Sequence, residues 1–114
     1  MHLLLKTVSL VGLVITTALA AFAEQLTGQE VASLFARGQI SFQAGSIWTT
    51  EAGNRYTLTH PNSSVEAGSF KIFPNGTIER HDEAKGRKTR YHFDRAADGT
   101  ISAVYGNGSR YAIK

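Results

Sequence analysis

Three histidines stand near carboxylates in the second half of the chain. His60, His81 and His92 share that region with Glu79, Asp82 and Asp94. Imidazole and carboxylate are the groups of general acid–base catalysis and of divalent metal sites. A metal site needs three or four ligands that converge, and no spacing here matches a ligand motif. A small metal-dependent or acid/base enzyme using the His60, His81 and His92 region is therefore the alternative function. The plainer reading is an exposed polar sheet face with a His–Glu pair. Nucleophiles offer less. The chain has no cysteine, which excludes a thiol nucleophile, a thiolate zinc site and a disulfide framework. Gly68-Ser69 and Gly108-Ser109 lack the Gly-x-Ser-x-Gly frame of a nucleophile elbow. Phosphate-loop patterns are missing too, because the glycine pairs lie between strand patterns with no helix following. No cofactor and no metal are expected.

A second cluster carries charge. Arg80, His81, Lys85, Arg87, Lys88, Arg90, His92 and Arg95 crowd one stretch, interrupted by Asp82, Glu83 and Asp94 and interleaved with Tyr91 and Phe93. Mixed cationic and aromatic surfaces attract polyanions. The candidate binding residues are Arg80, Lys85, Arg87, Lys88, Arg90 and His92. The partner they fit is an acidic protein or an anionic glycan or lipid of a cell envelope. The plainer reading is a solvated hairpin tip whose cations deter edge pairing. A third group is aromatic: Phe42, Trp48, Tyr56, Phe70, Phe73, Tyr91, Phe93, Tyr105 and Tyr111. These could line a ligand cavity, but barrels this small usually fill their interior with side chains, so core packing is expected.

The elements that must position these groups are legible. Thr27-Gly28-Gln29-Glu30 is a capping box, with Leu26 and Val31 as a hydrophobic staple. Val31, Leu34 and Phe35 make one apolar stripe, and Gly38 suits a helix C-terminus. The spacing predicts a helix from about Gly28 to Arg37. Turn signals then recur about every ten residues, at Glu51–Asn54, Pro61–Ser63, Pro74–Gly76, Ala84–Gly86, Ala97–Gly99 and Gly106–Gly108. Between them apolar residues alternate, as in Tyr56/Leu58, Phe70/Ile72, Tyr91/Phe93, Ile101/Ala103 and Tyr111/Ile113. An internal repeat supports hairpins. Gly-Ser/Thr-Ile occurs at Gly45, Gly76 and Gly99, and each copy is followed by Arg-Tyr-x-apolar from Arg55, Arg90 and Arg110. Register follows for two hairpins. A three-residue Gly106–Gly108 loop places Ile101 opposite Ile113 and Ala103 opposite Tyr111. Pairing Asp82 with Thr89 places Ile78 opposite Phe93, Arg80 opposite Tyr91 and Glu79 opposite His92.

The first 23 residues read differently. Lys6 precedes an apolar run from Val8 to Ala20, and Ala21-Phe22-Ala23 is a small-x-small cleavage pattern. Residues 1–23 are expected to be a signal peptide cut between Ala23 and Glu24, with residues 24–114 forming one β-rich domain. Cleavage removes Lys6 and leaves 91 residues with a formal charge of +2. That charge, together with export, disfavours nucleic acid as a partner. The leader is too short for a convincing membrane span, which needs roughly 20 apolar residues, so no transmembrane segment is expected after its removal. Localisation is expected to be periplasmic or secreted.

Leu26-Thr27-Gly28-Gln29-Glu30-Val31, followed by Leu34-Phe35 and Gly38, resembles the mature opening of small exported proteobacterial proteins of unknown function. That resemblance implies a capped N-terminal helix, a strand meander and a periplasmic non-enzyme. It assigns no functional residue. The late tryptophan and cysteine pair frequent in such proteins are missing, the one tryptophan being Trp48. The expected fold is α+β, mainly β. One N-terminal helix packs on an antiparallel meander of six or seven strands, as a curved sheet or a small open barrel. The expected function is a non-catalytic exported binding protein, with the enzyme above as alternative and a self-assembling surface protein joined through strand edges as a second.

Overall fold

Thr27 opens the helix as the capping box requires. In the computed structural model, which describes residues 23–114, the Glu30 N–H donates to the Thr27 hydroxyl at 3.2 Å. The Thr27 N–H donates in return to the Glu30 carboxylate at 3.0 Å. Helix α1 spans Gly28–Phe35 and buries Val31, Leu34 and Phe35. It stops short of Arg37 because the Arg37 and Gly38 amides turn back to the Leu34 and Phe35 carbonyls, with Gly38 at φ +86°. The expected leader lies outside the described residues, apart from Ala23 at its boundary. Among the described residues no helix is long and apolar enough to cross a membrane.

Nine antiparallel strands accompany α1. They are β1 (Glu24–Gln25), β2 (Gln39–Ser41), β3 (Ile47–Glu51), β4 (Arg55–Thr59), β5 (Val65–Ile72), β6 (Ile78–Asp82), β7 (Arg87–Arg95), β8 (Ile101–Tyr105) and β9 (Arg110–Ala112). Strands β2 to β9 pair strictly in chain order. The count exceeds the expected six or seven for a physical reason. β1 is two residues long, too short to show any alternation. It exists because β7 is longer than β6 and leaves Asp94 and Arg95 unpaired on that side, where Gln25 and Glu24 pair with them. The sheet is curled as a half-barrel. Its two ends meet at one bridge between Phe42 and Ile113, flanked by hydrogen bonds from the Gln43 amide to Ala112 and from the Lys114 amide to Ser41, both 2.9 Å.

Two registers can be compared with expectation. The last hairpin is as the loop length dictated, with Ala103 opposite Tyr111 and the Ile113 amide bonded to the Ile101 carbonyl. The β6–β7 hairpin is not. Asp82 pairs with Arg87, Arg80 with Thr89, Glu79 with Arg90 and Ile78 with Tyr91, a slip of two residues from the expected pairing. A two-residue slip keeps every side chain on its own face, so alternation cannot detect it. The turn decides instead: the Asp82 carboxylate accepts the Ala84 and Lys85 amides, and Gly86 takes φ +64°. The repeat corresponds to three hairpins, β3–β4, β6–β7 and β8–β9, each entered from a glycine of positive φ.

The core lies on the concave face, with α1 against it. The Phe35 ring sits 4.9 Å from Trp48, 5.3 Å from Phe70 and 6.0 Å from Phe93, and Trp48 stacks on Tyr56 at 4.4 Å. The helix thereby fills the end of the half-barrel where the Pro74–Gly76 turn lies. That turn is pressed against the chain entering the helix: a Cβ on Gly76 would stand 2.2 Å from the Leu26 carbonyl oxygen.

Candidate functional site

The β6–β7 hairpin distributes the expected binding residues over three environments. Arg90 and His92 lie on the convex face, each beside an acid. Arg90 Nε reaches Glu79 at 2.7 Å, and its guanidinium lies 5.1 Å from the Phe73 ring. His92 Nε2 is 3.0 Å from Asp94 and opposite Val104 rather than Glu79. Lys85, Arg87 and Lys88 are exposed at the tip and make no ion pair with a described residue. Arg80 points the other way, into the half-barrel.

Two of the three acids that interrupt this cluster in the sequence, Asp82 and Glu83, are withdrawn from it, while Asp94 stays beside His92. Asp82 is buried and spends its carboxylate on the turn amides. Glu83 reaches across to β4, where Arg55 grips it with two hydrogen bonds of 2.6 and 3.1 Å. That bond to Arg55 holds the Glu83 carboxyl below its ordinary range, as Arg90 does for Glu79. The tip therefore presents Lys85, Arg87 and Lys88 with their acidic neighbours already engaged.

Inside the half-barrel Arg80 belongs to a network the sequence did not announce. Its Nε donates to Glu66 Oε2 at 2.9 Å and its Nη1 to the Tyr105 hydroxyl at 2.7 Å. The guanidinium lies 5.5 Å from the rings of both Tyr91 and Tyr105. The Tyr56 hydroxyl donates to the same Glu66 oxygen at 2.5 Å. Burial and the carboxylate together push the Tyr56 phenol up. Burial works against the Arg80 charge, but Tyr105, Tyr91 and Glu66 outweigh it and raise the pKa of the guanidinium. No family model matches the chain, and neither a curated protein nor a solved structure is found to match it. The geometry must therefore speak for itself.

The three histidines do not converge. His60 lies at the open end of the half-barrel, 4.0 Å from Glu66. His81 pairs with Ser69 and Lys88, so it lies on the convex face with His92. Among the described residues no group of three metal-ligating side chains comes together. Glu66 was the residue missed by sequence reasoning. It stands opposite Leu58, and a β4–β5 register drawn from the Pro61–Ser63 turn would have placed it on the apolar face.

Proposed function

We propose that this chain is a non-catalytic exported binding protein whose β6–β7 tip engages an anionic component of the cell envelope, through Lys85, Arg87 and Lys88. The sorting of charge at that tip carries the reading: Asp82 and Glu83 are committed elsewhere while the three cations make no ion pair with a described residue. The expected leader and the resemblance of the Leu26–Gly38 segment to small exported proteins agree with it. The dispersion of His60, His81 and His92 favours binding over catalysis. Pairing of Phe42 with Ile113 engages both ends of the meander, which favours a partner of another kind over self-assembly through strand edges.

The test is sedimentation of the mature domain with vesicles rich in phosphatidylglycerol. Lys85→Ser, Arg87→Ser and Lys88→Ser together should leave the thermal midpoint unchanged, since exposed substitutions of this kind cost within about 0.5 kcal/mol. Binding should fall with the triple variant and with added salt, which shortens the reach of exposed charges to about 8 Å at physiological strength. Binding that ignores both would refute the tip as the contact. Export has its own check: mass spectrometry of the mature protein should find Glu24 first, and an intact leader would refute cleavage.

A further inference from the structure

Helix α1 closes one end of the half-barrel and leaves the other open. At the open end lies a cavity of about 230 Å³, lined by Phe42, Leu58, His60, Arg80, Tyr105 and Tyr111 among others. Phe42 and Leu58 belong to the core here too and Tyr105 packs against it, while Tyr111 stands half exposed at the mouth. We propose that this cavity is a binding site for a small carboxylate that carries one ring or a short apolar body.

The charge of the lining selects the carboxylate. Among the described residues Arg80 is the one permanently charged side chain in the wall, and no acid lines it. Glu66, the neighbouring carboxylate, stands outside the lining, with its Oε2 holding both Arg80 and Tyr56. The remaining polar groups at the rim, from Ser46, Asn107 and Ser109, can all donate hydrogen bonds. An amine entering this space would meet a guanidinium, and the nearest carboxylate, Glu66 behind Arg80 and His60, is already held by Arg80 and Tyr56.

Arg80 is also poised for such a ligand. A guanidinium has five N–H donors in a rigid fork that matches a carboxylate. Only Nε and Nη1 bond to described residues. No buried side-chain nitrogen or oxygen among the described residues lacks a partner, so Nη2 is reached by solvent rather than sealed in the core. Glu66, Tyr91 and Tyr105 hold the fork in place before any ligand arrives, which spares the entropy of ordering it.

The walls select the apolar body. Phe42, Leu58 and Tyr105 face the cavity, and Tyr111 forms an aromatic lip, 43% exposed and edge-on to Tyr105 with ring centres 5.5 Å apart. An aromatic side chain left half in water beside a cavity is a surface for a ring to cover. The volume falls below the roughly 300–1,000 Å³ of sites for drug-sized ligands, so the ligand is limited to about one ring and its acid group.

The probe is benzoate, titrated into the full domain and followed by amide NMR shifts, with benzylamine as its cationic counterpart. Benzoate should shift amides around Arg80, Tyr105 and Tyr111, and bind at least roughly tenfold more tightly than benzylamine, as expected for about 1.4 kcal/mol of charge selectivity. Tyr111→Ala, at an exposed position, should keep the fold and weaken benzoate about fivefold through the lost ring contact. Lys85→Ser, Arg87→Ser and Lys88→Ser together should leave benzoate binding unchanged, which separates this site from the hairpin tip. Equal affinity for the two probes, an unaffected Tyr111→Ala variant, or shifts confined to the tip would each overturn the proposal.

Discussion

Replacing Arg80 with methionine should come close to unfolding the domain, and replacing Glu66 as well should restore it. The argument rests on burial. The Glu66 side chain is 10% exposed and that of Arg80 12%. In Arg80→Met the carboxylate keeps only the Tyr56 hydroxyl among its two close partners. Breaking a buried ion pair from one side costs about 3–5 kcal/mol. A fold of the 92 described residues has a total stability of about 5–14 kcal/mol, so one substitution removes a large share. With a urea slope of about 1–1.5 kcal/mol/M for a small domain, the midpoint should fall by roughly 2–5 M. Glu66→Leu alone leaves Arg80 with the Tyr105 hydroxyl and two aromatic faces, so about 2–3 kcal/mol is expected. Arg80→Met with Glu66→Leu removes both charges, leaves the Tyr56 hydroxyl short of an acceptor and leaves the Tyr105 hydroxyl to the open cavity, a cost of about 1–2 kcal/mol. The double variant should therefore be more stable than Arg80→Met. The assay is urea unfolding read from the emission of Trp48, the only tryptophan, which stacks on Tyr56. Single effects that simply add, or a wild-type midpoint for Arg80→Met, would show that the interior pair is not coupled and that the reasoning is wrong.

Three further outcomes follow from the fold. Gly68→Ala should abolish folding, because its Cβ would lie 1.7 Å from the His81 carbonyl oxygen across the β5–β6 pair; a soluble variant with a native amide spectrum would contradict that close approach. Phe35→Ala should cost about 3–5 kcal/mol and Thr27→Ala about 1 kcal/mol, so denaturant midpoints must rank in that order; the reverse order would mean α1 is held by its cap rather than by its docking. Stability should also fall in acid. The Thr27 amide and Arg95 depress the Glu30 carboxyl, and Arg90 and Arg55 depress Glu79 and Glu83, all below 4.5. Groups with a lowered folded pKa contribute fully above their unfolded value and lose that contribution as pH falls through the folded one. Thermal midpoints should thus be flat down to about pH 5 and drop below it; a midpoint that rises with acid would refute the pairs.

What the sequence showed clearly was local. The capping box, the Val31–Leu34–Phe35 stripe, the turns and the Gly106–Gly108 hairpin register all rest on contacts within a few residues, and all appear in the structure. What it hid depends on contacts made at a distance. β1 pairs only because β7 outruns β6, a fact of lengths rather than of composition. The two-residue slip at β6–β7 was invisible because both registers put the same side chains on the same faces. Arg80 shares the Ile78 face in either register, so the pleat turns it inward, away from Lys88 and Arg90, but its partners Glu66 and Tyr105 come from other strands. Glu66 is marked only by the register that the Pro61–Ser63 turn sets, and its meaning comes from Arg80, fourteen residues further on. The candidate tip was thus legible as a cluster of charge, whereas the open end of the half-barrel could not be read before the sheet was curled.

The segment entering α1 has a consequence for how the chain becomes a protein. A polypeptide emerges from a ribosome, or from a translocation channel, with its amino end leading. Here the leading end has no resting place until much later residues appear. The Leu26 amide bonds to the Phe93 carbonyl, and Glu30 on the first turn pairs with Arg95, 65 residues away. Closure between Phe42 and Ile113 waits longer still. Hairpins from β3 onward can zip as they emerge, each made of near neighbours, and Phe35 can meet Trp48 and Phe70 once β3 and β5 are out, but its contact with Phe93 and the bonds of Leu26 and Glu30 wait for β7. Full docking of the first element is thus among the last events of folding. An exported chain of this design would gain from any factor that shields Val31, Leu34 and Phe35 during transit.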